Sequence, residues 1–187
     1  MARPQKHSDT ELFERIESAL SASPKELRTL AAIARAVDVH PATLIKRFGS
    51  KRELLLALSR RWVAALPSEA GTAGPAAALQ QWINGQHTGS SSPELSNQQL
   101  AALIEDLADP ELAGLLRQGW RKQISYLEQL VTAAVAQEQL LHAPTPSHAA
   151  TLLFDACLGF TVRTASEPDA ASTTSPPPAS LLLESWT

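Results

Sequence analysis

Apolar positions over the first sixty residues recur at helical spacing in short, punctuated runs. Leu12, Phe13, Ile16, Ala19 and Leu20 form one stripe over residues 8–21, opened by the capping-box pair Ser8 and Glu11 and ended by Ser23-Pro24. Leu30, Ile33, Ala34 and Val37 form a second stripe over 30–37. Leu44 and Phe48, four residues apart, face inward from a third helix over 41–48, which Pro41 opens and Gly49 stops. Between the second and third helices, Asp38 stands where the chain must turn, and Asp tolerates left-handed backbone; Val39 plugs the turn. Two short helices joined in this way predict a helix-turn-helix, whose second helix lies in the DNA major groove. Ser50 and Glu53 repeat the capping-box pattern and begin a fourth helix, with Leu54, Leu55, Leu58, Trp62 and Leu66 on its inner face.

The segment 67–75, rich in Pro, Gly and Ala, then breaks the periodicity. A domain boundary is expected in or just before it. This gives a helix-turn-helix domain over 1–66, with helix four as the link, and a helical domain over 67–187. In the second domain an apolar helix from Ala76 to about Ile83 is followed by a Gly/Ser-rich loop over 84–93. Ser96 and Gln99 read as the cap of a helix with Leu100, Leu103, Ile104 and Leu107 as its face. Asp109, Pro110 and Glu111 supply a cap, a first-turn proline and a first-turn acid for the longest helix, expected to run to about Leu140. Leu112, Leu115, Leu116, Trp120, Gln123, Leu127, Leu130, Val131 and Ala134 approximate its stripe.

Thr145-Pro146 begins a helix to about Ala165 that is apolar around nearly its whole circumference, and such a helix must be covered on all sides. A second copy of the chain is the simplest cover for the side its own domain leaves open. The expected dimer contact comprises Ala149, Leu152, Leu153, Ala156, Gly159 and Phe160. Residues 166–180 read as a flexible linker, after which Leu181, Leu182, Leu183 and Trp186 dock a short last helix. With no convincing strand, the fold class is all-α.

Charge sharpens this picture. The chain carries a formal −3, but residues 1–66 hold 12 Lys/Arg against 7 Asp/Glu, whereas 67–187 hold 4 against 12. A basic module suited to phosphates is joined to an acidic one that DNA would repel. No apolar run approaches the ~18–20 residues of a membrane span. The polar N-terminus lacks the apolar core of a secretion signal. A single cysteine, Cys157, excludes an internal disulfide and fits a reducing cytoplasm.

Position assigns the candidate chemistry. Thr29 starts the first helix of the motif, where its hydroxyl and nearby N–H groups suit a phosphate. His40, Pro41, Ala42, Thr43, Ile45 and Lys46 belong to the reading helix, with Thr43 and Lys46 the candidates for base edges. Arg47 and Lys51 are candidate phosphate clamps; the alternative for the basic residues is a merely solvated face. Trp82, His87, Trp120, Tyr126, Phe154 and Phe160 are candidates to line a pocket between bundle helices, or else ordinary core. The five histidines are dispersed, without metal-ligand spacing, and there is no phosphate loop. No catalytic residue, metal or cofactor is expected, and Cys157 reads as a buried, inert thiol.

Residues about 8–66 resemble the DNA-binding domain of the tetracycline-repressor (TetR) family of bacterial transcriptional regulators. The likeness is carried by T-L-A-A-I-A-R-A-V-x-V at 29–39, P-A-T-L at 41–44 and F-G-S-K-R-E-L-L-L-A-L at 48–58. The resemblance implies a homodimer on double-stranded operator DNA. Each subunit would have three N-terminal helices, a linking fourth helix and a helical ligand-binding and dimerisation bundle. The last two helices would form the dimer contact, and effector binding would weaken operator binding. The chain departs from the family pattern at Asp38, where Gly is frequent, at Ile45, where Tyr is common, and at Arg47, where His or Tyr often stands. The alternative is a helical interaction module whose reading head no longer binds DNA.

Overall fold

Helix caps and apolar stripes account for nearly all the regular structure of the described residues, which are 8–22, 27, 29–71, 74–87, 93–166 and 176–187 of a computed structural model, with backbone alone at 9, 87 and 93–96. The helices in chain order are α1 (Asp9–Ala22), α2 (Leu30–Ala36), α3 (Pro41–Phe48), α4 (Lys51–Ala65), α5 (Pro75–His87), α6 (Pro93–Ala108), α7 (Pro110–Ala136), α8 (Pro146–Ser166) and α9 (Pro178–Ser185). No strand occurs among the described residues. The chain divides into two compact units, 1–61 and 62–187, with the boundary inside α4.

In the first unit, the Ser8–Glu11 box closes in both directions: the Ser8 N–H donates to Glu11 Oε2 at 2.9 Å and the Glu11 N–H to Ser8 Oγ at 3.2 Å. Asp38 takes the left-handed conformation, φ 52°, and Gly49 ends α3 at φ 77°. Leu12, Ile16, Ile33, Leu44 and Leu54 are fully buried in one core, with Phe13 and Phe48 packed on it, their ring centroids 5.5 Å apart. Each fully buried side chain of this kind contributes about 1.5–3 kcal/mol of transfer free energy. Arg61 holds the end of this part of α4 against α1, with Nε 3.3 Å from Glu17 Oε1, Nη2 3.6 Å from Glu14 Oε1, and the guanidinium over the Phe13 ring.

In the second unit, α7 and α8 supply most of a core that also takes Leu79 and Ile83 from α5 and Leu183 and Trp186 at α9. Several boundaries differ from the sequence reading. The fifth helix continues to His87, and the sixth begins at Pro93, so Ser96 lies inside it rather than at its cap. The long helix stops at Ala136, because Glu138 turns left-handed at φ 57°. Of the expected linker, Ser166 ends α8, 178–180 open α9, and 167–175 lie outside the described residues. Two apolar stripes are only partly buried. Ile104 and Leu107 stay 60% and 45% exposed, since α6 turns Leu103 and Asp106 inward instead. On α9, Leu181 faces outward while Leu183 and Trp186 dock.

Candidate nucleic-acid interface and ligand cavity

The reading helix is pinned from beneath and at both ends. Leu44 is fully buried, whereas Ala42, Thr43, Ile45 and Lys46 form one exposed face, Ile45 at 54%. Pro41, Arg47 and Lys51 are half-buried at its margins. His40 is the N-cap: its Nδ1 accepts from the Ala42 N–H at 3.2 Å, which puts the proton of the neutral ring on Nε2 and leaves that N–H as a donor. Thr29 caps α2, its Oγ1 accepting from the Ala32 N–H at 3.1 Å, and its hydroxyl proton can still be donated to a phosphate oxygen. Ser50 caps α4 through the Glu53 N–H at 3.1 Å, with Lys51 in that first turn. The unit therefore presents two capped helix N-termini beside an exposed face carrying Thr43, Ile45 and Lys46. That arrangement suits phosphate contacts at the rim and base-edge contacts at the centre. Ile45 offers packing against a thymine methyl and no hydrogen bond.

Within the second unit, a cavity of about 220 Å³ opens between α5, α7, α8 and the end of α4. Trp82, Trp120 and Phe154, three of the six candidates, line it. The Phe154 centroid stands 6.4 Å from that of Trp82 and 6.2 Å, edge-on, from that of Trp120. Tyr126 is packed against the core away from the lining, Phe160 lies under the Arg163 guanidinium at 5.2 Å, and the His87 side chain lies outside the described residues. The remaining walls are Trp62, Gln86, Gln123, Cys157, Leu158 and Thr161. Sequence reasoning passed over these six, although Gln123 was a polar residue in an otherwise apolar stripe and so carried a signal. Burial pushes the Cys157 thiol up to about 12, so it stays protonated.

The segment of α7 that lines this cavity also fastens the chain leaving α4. Gly119 is buried against the Trp62 indole, where a Cβ would overlap the ring. Lys122 Nζ donates to the carbonyls of Val63 at 2.8 Å and Leu66 at 3.2 Å, satisfying the last turn of α4 with a cation at the negative end of the helix. Further on, the Gln129 amide accepts from the Ala70 N–H and donates to the Ser68 carbonyl, at 3.0 and 3.1 Å.

The residues expected in a dimer contact divide between two faces of α8. Ala149 and Leu153 are fully buried in the chain's own core. Leu152 and Gly159 are exposed, and Ala156 and Phe160 half-buried. Among the described residues no cluster of His, Cys, Asp and Glu could hold a metal, and no helix is long and apolar enough to cross a membrane.

Residues 27–58 match the family model for bacterial regulatory proteins of the tetR family. Comparison with curated proteins finds no match. Among solved structures, the chain is similar to a TetR transcription regulator from Haloarcula marismortui, with TM-score 0.68, 16% identity and 95% of each chain covered. It is also similar to GusR of Salmonella enterica, with TM-score 0.61, 19% identity and 97% and 96% of the two chains covered. A third is a TetR transcriptional regulator from Agrobacterium tumefaciens, with TM-score 0.58, 17% identity and coverage of 95% and 90%. At these identities the structures establish the fold, while the family match falls on the helix-turn-helix itself. The chain thus carries a segment that matches the tetR-family model at its helix-turn-helix, and over 95% of its length it takes the fold of solved TetR regulators.

Proposed function

We propose that the chain is a transcriptional repressor that binds an inverted-repeat operator as a homodimer and leaves it when a small molecule occupies the cavity of the second unit. The observation that carries this reading is the division of α3 into a fully buried Leu44 and an exposed face of Ala42, Thr43, Ile45 and Lys46, flanked by the capped helix starts at Thr29 and Ser50. Thr43 and Lys46 read base edges, and Arg47, Lys51 and the α2 N-terminus hold phosphates. The cavity acts through α7, where Trp120 and Gln123 line it while Gly119 and Lys122 hold the end of α4. A ligand that moves this part of α7 moves the end of the helix that begins beside the reading head.

The second copy docks on the outer face of α8. Leu152 and Val162 are 46% and 41% exposed there, and a Cβ placed on Gly159 would meet nothing within 4 Å beyond its chain neighbours and the helix's own backbone. Asp155 and Arg163 stand four positions either side of Gly159. An antiparallel two-fold pairing about this glycine therefore sets Asp155 of each copy against Arg163 of the other. In sedimentation, Asp155→Arg should shift the chain toward monomer, and adding Arg163→Asp should restore the dimer. A single variant that stays dimeric removes this face from the contact. The regulatory reading is tested by gel shift and footprinting on DNA upstream of the protein's own gene. Two protected half-sites about 34–36 Å apart are expected, and protection of one unrepeated half-site, or none, refutes it.

A further inference from the structure

We infer that the cavity takes a compact, uncharged ligand built on one or two flat rings and carrying a polar atom, an inference that rests on the effector reading above. Size comes first. At about 220 Å³ the space falls below the ~300–1,000 Å³ usual for drug-sized ligands. Long acyl chains and large polycyclic compounds do not fit without rebuilding the walls.

The walls then select for shape. Indoles of Trp62, Trp82 and Trp120 and the ring of Phe154 present flat aromatic surface from different helices. Phe154 meets Trp82 at a tilt of 35° and Trp120 at 61°, so the cage is angular and not a closed stack. A planar ring entering it gains offset or edge contacts beyond area burial. A branched aliphatic group of equal volume gains only the area term.

Charge is excluded by what the lining lacks. No Asp, Glu, Lys, Arg or His lies among its described residues, and the one thiol is held protonated. An ionised ligand would lose its hydration with no counter-charge to replace it. The rival is an organic cation, which an aromatic cage attracts through the ring faces. That attraction is smaller than the hydration an unpaired buried ion loses on leaving water. Polar complementarity is supplied by three uncharged groups: the amides of Gln86 and Gln123, and Thr161, whose hydroxyl donates to the Cys157 carbonyl at 3.2 Å and so offers its lone pairs as acceptors.

The test uses the full chain with indole, naphthalene, tryptamine, indole-3-carboxylate and cyclooctanol as probes, read by calorimetry and by the shift in melting temperature. Indole and naphthalene should bind and raise the melting temperature, with the cation, the anion and the aliphatic alcohol at least tenfold weaker. Gln123→Leu should weaken indole severalfold and leave naphthalene unchanged, an effect that general loss of packing would not produce. A charged probe binding as tightly as indole, cyclooctanol binding more tightly, or no neutral aromatic binding overturns the inference. Gel shift on DNA without any probe is scored separately. A retained shift without aromatic binding removes the ligand class and leaves the regulator standing. Aromatic binding without a shift does the reverse.

Discussion

Replacing Gly119 by Ala sets two effects of opposite sign against each other, and Gly114 on the same helix separates them. Glycine inside a helix is about 1 kcal/mol less favourable than alanine, so the exchange should stabilise α7 wherever a methyl group has room. At Gly114 it does, because the nearest atom to an added Cβ is Arg117 Nη2 at 3.9 Å, the far end of a flexible side chain. At Gly119 the added Cβ would overlap two atoms of the Trp62 six-membered ring. An indole is rigid and has no flexible end to rotate away, so the whole ring must shift, and overpacking of this kind costs about 1–3 kcal/mol. The propensity gain is common to both variants and cancels in their difference. Gly119→Ala should therefore be less stable than Gly114→Ala by about 1–3 kcal/mol, and near or below the wild type. Urea unfolding followed by far-ultraviolet circular dichroism measures the difference. Near-ultraviolet dichroism should change in Gly119→Ala alone, as the indole is displaced. Equal stability of the two variants would mean that Trp62 moves away freely, and its role as a fixed wall of the cavity would be wrong.

Other consequences are more local. His40→Ala removes the α3 cap and should cost about 0.5–2 kcal/mol in unfolding experiments; His40→Asn, which keeps an acceptor, should recover most of it. Lys51→Ala should weaken DNA binding evenly across sequences and reduce the salt slope by about one, whereas Thr43→Ala should change the preferred base at one position. Binding titrations at several salt concentrations and a selection from random operators decide these two. The Cys157 thiol has its folded value raised from 9.0 to about 12 by burial, so its contribution to stability is complete below pH 9 and falls as pH climbs toward 12. Relative to Cys157→Ala, the wild type should lose about 1.4 kcal/mol between pH 8 and pH 10, and a parallel pH dependence of the two proteins refutes the burial argument.

The reading head was legible in the sequence because its signals are local. Each element there is set by residues within four positions of one another: the Ser8–Glu11 box, the Leu44–Phe48 pair, Pro41 at a helix start and Gly49 at its stop. Asp38 could be placed at the turn before its φ of 52° was known, because few residues without a glycine's freedom accept that region. The end of α7 was missed for the same reason turned round. Glu138 at φ 57° carries no such signature, so the periodicity alone ran on past Ala136.

The cavity was less legible, because nothing local defines it. Trp62, Trp82, Trp120 and Phe154 each sit at an apolar position of a different helix, where a large aromatic residue is ordinary core. What makes them a wall is the gap they jointly leave, and that depends on side-chain volumes meeting across helices far apart in the chain. Periodicity reports which face of a helix is inward, but not whether the inward faces fill the space between them. The traces left in the sequence are exceptions to the apolar rule. Gln123 interrupts the α7 stripe, and Gly119 gives up helix propensity where only a close neighbour justifies it. Both lie within five residues of Lys122, the cation that caps α4, so the polar and small residues that look like defects in the stripe coincide with the point where α7 touches both the cavity and the end of the linking helix.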